Sequence, residues 1–72
     1  MFNNLTQQRR KVAREIIGHI MIHGELCNQG VTDNALPVAR ELERVGVLKM
    51  ERLNMFFVIA DVQKARFLLH GG

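Results

Sequence analysis

A single cysteine, Cys27, and a single proline, Pro37, stand in the 72 residues. One thiol cannot form an intrachain disulfide, so a reducing cytoplasm is the expected setting. The paired-cysteine spacings of structural zinc sites are missing. His19 and His23 lie four apart at helical spacing, but Gly24 breaks that helix before Cys27 and no clear fourth ligand follows. No metal and no cofactor are therefore expected. No Cys-His-acid arrangement can be assigned either, which argues against an enzyme. Any long apolar run is lacking too. The start, Met1 to Lys11, is polar and basic with nothing behind it long enough for a signal peptide or a membrane span. Repeats, low-complexity tracts and linkers are absent.

What remains is ordinary globular composition, 47 % apolar and 24 % charged. A chain of 72 residues makes one small domain near the size where a lone core is marginal, so a homodimer is expected. The net charge of +3 is unevenly placed. Arg9, Arg10, Lys11 and Arg14 against Glu15 account for all of it, while residues 25–72 carry six basic and six acidic side chains. A basic excess suits a polyanion such as DNA, and these four cations are candidate phosphate contacts; a solvated helix face is the plainer reading of the same run.

The chain is organised around residues 30–48. Asp33 is expected to cap a helix over residues 34–45, with Pro37 in its first turn, where a missing donor costs little. Ala35, Leu36, Val38, Ala39, Leu42 and Val45 then share one side, and Pro37, Arg40, Glu41 and Arg44 lie opposite. Gly46 supplies the left-handed stop and Val47-Leu48 enter a strand. Upstream, Asn4 with Gln7 three residues on starts a helix expected over residues 5–23, with Val12, Ala13, Ile16, Ile17 and Ile20 as its buried stripe and Gly24 as its end.

Downstream, residues 48–51 alternate, residues 52–55 can turn and residues 56–60 form a second strand, a hairpin. That strand is apolar on both faces, Phe56, Val58 and Ala60 on one and Phe57 and Ile59 on the other. A last helix capped by Asp61, with Val62, Ala65, Phe67, Leu68 and Leu69, offers the second cover. The apolar surplus marks Phe57, Ile59, Phe67 and Leu68 as a dimer or partner interface, unless they serve only as cover within the chain.

The Gly-Val-Thr turn before the central helix, and the run Leu42-Glu43-Arg44-Val45-Gly46-Val47-Leu48 leading into a hairpin, resemble the winged helix-turn-helix family of DNA-binding domains. The resemblance spans roughly residues 12 to 60. Only residues 25–29 remain for the family's middle helix, which must be one turn or absent. The expected fold is mostly α with a β-hairpin, a small winged-helix-like domain with a C-terminal helix. The resemblance implies a small DNA-binding transcriptional regulator of phage or plasmid type. By position it places Thr32 and Asn34 at the start of the recognition helix, Arg40 and Arg44 on its exposed face, and Lys49 and Arg52 on the wing. The alternative is a protein-binding module, an antirepressor or inhibitor that docks on a regulatory protein. Three features favour it: the acidic excess of Asp33, Glu41 and Glu43 over Arg40 and Arg44, a wing tip with Leu53 and Met55, and the C-terminal apolar surplus.

Overall fold

The computed structural model describes residues 7–70. In chain order these form α1 (Gln7–His23), β1 (Leu26–Cys27), a 3-10 turn (Asn28–Gly30), α2 (Leu36–Arg44), β2 (Leu48–Glu51), β3 (Phe56–Ile59) and α3 (Val62–Leu69). The fold is mostly α with a β-hairpin and a C-terminal helix, winged-helix-like in outline. The expected cap at Asn4, the contribution of Leu5 and the tail Gly71-Gly72 lie outside the described residues.

The helical stripe of α1 is buried as its spacing predicts, with Ala13, Ile16, Ile17 and Ile20 in the core and Val12 packed against it. Gly24, at φ +89°, closes the helix and donates its amide to the Ile20 carbonyl at 2.6 Å. Val38, Ala39 and Leu42 of α2 meet that stripe, and Val47, Leu48, Phe57, Ala65 and Leu68 complete the core. Leu42 is 0 % exposed.

The ends of α2 differ in how well local chemistry foretells them. Asp33 does not cap the helix: the residue flanking its start is Ala35, whose side chain has nothing to offer. Thr32 takes that role one turn earlier. Its carbonyl accepts from the amides of Ala35 and Leu36 at 3.0 and 2.9 Å, and its hydroxyl accepts from Ala35 at 3.3 Å. Asp33-Asn34-Ala35 thus form a turn closed on Thr32, and α2 proper starts two residues later than expected, at Leu36. The C-terminal end follows expectation. Gly46 at φ +88° lets Val47 donate to the Leu42 carbonyl at 2.9 Å while Gly46 donates to Glu43 at 3.1 Å, the paired bonds of a Schellman motif. The Val45 carbonyl left over accepts from Lys64 Nζ at 3.2 Å.

The hairpin acquires a third, unexpected strand. The sheet order is β1-β3-β2, all antiparallel, with Leu26 opposite Phe57 and Cys27 opposite Phe56 on one side, and Met50 opposite Phe57 and Leu48 opposite Ile59 on the other. A two-residue strand is too short to show a period, so its pairing partner alone defines it. The middle helix is reduced to the 3-10 turn.

The apolar surplus resolves inward. Phe57 and Leu68 are core residues, 0 % and 3 % exposed, and Ile59 packs against the core, so these three are not an interface between molecules. The reason is geometric: α3 folds back onto α1, and Phe57 and Ile59 point into the layer between helices and sheet. Phe67 alone of the four is exposed, at 61 %. Asp61 caps α3 as expected, its Oδ1 accepting from the Lys64 amide at 3.1 Å.

Candidate nucleic-acid interface

Thr32 and Asn34 are exposed on the turn that feeds α2, and Pro37, Arg40 and Arg44 are exposed along the helix after it. The two arginines are not idle. Arg44 clasps Glu41 three residues back with two bonds, Nε to Oε2 at 2.7 Å and Nη2 to Oε1. Arg40 Nη1 reaches Glu43 Oε1 at 3.4 Å, and its guanidinium carbon lies 5.9 Å from the centre of the Phe57 ring. Arg40 therefore does not simply point away from the core; it roofs the buried ring on β3, a favourable cation–π placement.

The same pairing holds on the hairpin. Lys49 Nζ lies 3.5 Å from Glu51, and Arg52 Nη1 lies 3.1 Å from Glu25 Oε1, with its guanidinium carbon 5.0 Å from the centre of the Phe56 ring. All four sequence-predicted cations of helix and wing thus face a carboxylate. These pairs are mostly solvent-exposed, and such pairs are worth only about 0.2–1 kcal/mol.

Arg9 is exposed at the start of α1. Hydrogen bonding from Arg44 holds the Glu41 carboxyl below its ordinary range, with the charges of Arg44 and then Arg9 adding to the effect. The two helices pack together. Lys11 and Arg14 are exposed on α1, and Arg10 is half-buried. Ala13, Ile16, Ile17 and Ile20 set the core direction of α1, and at 100° per residue Lys11 and Arg14 fall on the opposite side of the helix from it.

The wing tip carries the least expected feature. Arg52, Leu53 and Asn54 have φ of 54°, 60° and 63°, three consecutive non-glycine residues in the left-handed region. Asn tolerates this; Leu does so at a cost on the order of 1–2 kcal/mol. Asn28 braces the tip twice: its amide donates to the Met55 carbonyl at 2.8 Å and its Nδ2 donates to the Asn54 carbonyl at 3.0 Å. Neither Asn28 nor Glu25 was identifiable from the sequence, because their partners lie 26 and 27 residues away with no local signature.

The rings of His19 and His23 stand 4.4 Å apart between centres, and Cys27 is a half-buried free thiol on β1. Among the described residues no group of three or more His, Cys, Asp or Glu could hold a metal ion, and no helix is long and apolar enough to cross a membrane. Comparison with protein-family models, with curated proteins and with solved structures finds no match to the chain.

Proposed function

We propose that the chain is a small DNA-binding regulator acting in the cytoplasm, a binding protein rather than an enzyme, with α2 as its reading helix and the hairpin as its wing. The observation that supports this is the packing of α1 against α2, with Thr32, Asn34, Arg40 and Arg44 exposed along the turn and helix. Thr32 and Asn34 offer a hydroxyl and an amide at the start of that helix, and Arg44 offers a two-donor fork. Arg9, Lys49 and Arg52 supply phosphate contacts around them.

Selection of bound fragments from a random duplex pool, followed by a salt titration, tests the reading. Affinity should fall steeply with salt. Arg44→Ala should weaken the selected site by about 1–3 kcal/mol without unfolding the domain. Arg44 is the better probe than Arg40, which also covers Phe57. Recovery of no selective fragment at low salt would refute the proposal.

A protein-binding module is the second reading, favoured by one observation: every cation proposed for α2 and the wing already faces a carboxylate. On that reading DNA affinity is weak and indifferent to sequence.

A further inference from the structure

We propose that two copies of the chain pair reciprocally, the Leu53 tip of each wing seated in the groove that the other forms between α1 and residues 30–35. Thr32 lines this groove and Arg52 flanks the tip, so the paired form withdraws both from the DNA contacts proposed for them. The groove has a volume of about 210 Å³, with Ile16, Leu26, Val31 and Ala35 as its apolar lining and Glu15, His19 and Thr32 as its polar groups. It is open to solvent and has room for an aliphatic side chain. Leu53 is that side chain: it is 95 % exposed, carried outward on a left-handed backbone that Asn28 fixes from behind. A branched residue held in this conformation, fully in solvent, is a strained arrangement, and an exposed Asn or Gly would hold the turn at lower cost.

The second copy is the indicated occupant because the knob and the groove adjoin. Asn28, which braces the tip, stands between Leu26 and Gly30, both of which line the groove. A patch that carries a projection and its complement side by side is self-complementary under a twofold rotation, the form of an isologous dimer. Charge agrees: Arg52 is next to the projection, and the exposed Glu15 lines the groove. The patch is small beside a standard interface, so the dimer is a weak one.

Sedimentation equilibrium of the full chain from micromolar to millimolar concentration tests this, with amide chemical shifts followed on dilution. The wild type should show a monomer–dimer equilibrium, with shifts confined to residues 15–35 and 52–55. Leu53→Asn, which the left-handed backbone accommodates, should keep or raise the melting temperature while weakening association about tenfold or more. Val31→Asp in the groove should do the same to association. A wild type monomeric at millimolar concentration overturns the proposal, as does a dimer indifferent to Leu53→Asn. So does a variant that loses only DNA or other-protein binding, which would assign the tip to that partner.

Discussion

Leu42→Ala tests the packing most directly. Leu42 is 0 % exposed in the middle of α2, within the core that α1, α2, β3 and α3 build together. The same core holds Ala39, whose side chain is a single methyl, and Phe57, which lies beneath Arg40. Truncations of this kind cost about 2–5 kcal/mol, and a site that cannot relax belongs in the upper half of that range. At about 0.05–0.15 kcal/mol per residue, a chain of 72 residues has roughly 4–11 kcal/mol in all. The substitution should therefore remove a third or more of the stability, and it unfolds the domain only if the total lies at the lower end of that range. Urea unfolding followed by circular dichroism measures it, with Leu53→Ala as the exposed control. A loss below about 1 kcal/mol for Leu42→Ala would show that α2 is phased differently against the core.

Gly46→Ala should cost about 1–2 kcal/mol in a thermal melt, because φ is +88° and the new Cβ would stand 3.2 Å from Lys64 Nζ, displacing it from the Val45 carbonyl. The Glu41 carboxyl should titrate below an ordinary glutamate by carbon-detected NMR, and should rise in Arg44→Ala and less in Arg9→Ala. Since its folded value is lowered, the stability linked to this pair is present above the unfolded glutamate pKa and is lost as pH falls through the lowered one. A Glu41 titration unchanged in Arg9→Ala would show that Arg9 does not act on this pair.

The parts legible in the sequence are those fixed by neighbours. The stripe of Ala13, Ile16, Ile17 and Ile20, the stop at Gly46 and the cap at Asp61 each depend on contacts within a turn or two, and the structure has all three. Asp33 failed as a cap because Thr32, one residue earlier, closes the turn with both its carbonyl and its hydroxyl, and two caps cannot serve the same amides. The apolar surplus of Phe57, Ile59 and Leu68 misled because a pattern reports that a face must be covered and not by what; α3 and α1 supply the cover. The left-handed wing tip had no glycine to announce it. Its support comes from Asn28, far away in sequence.

The short segment from Glu25 to Thr32 does the work that a full middle helix would otherwise share out. Glu25 pairs with Arg52 of the wing, Leu26 and Cys27 extend the sheet on β3, Asn28 holds the tip, and Thr32 closes the turn that begins α2. Every one of these links crosses from this segment to an element that the proposed function uses. A helix of two turns would bury a stripe of its own and move as a body; a two-residue strand, a 3-10 turn and the residues flanking them instead tie the wing and the reading helix to each other through polar contacts. The shape of the wing tip is therefore set by polar contacts that lie at the surface, while the core, which includes Leu48 of β2 and Phe57 of β3, sets how the helices and the hairpin pack. Asn28→Ala separates the two: it deletes the side-chain bond to Asn54 and leaves the buried residues untouched. It should leave the unfolding free energy within about 1 kcal/mol of wild type, the worth of one exposed hydrogen bond. In the same variant, amide exchange at residues 52–55 should rise sharply. Unchanged exchange at the tip would mean that the left-handed turn holds itself, and that the wing does not depend on this segment for its shape.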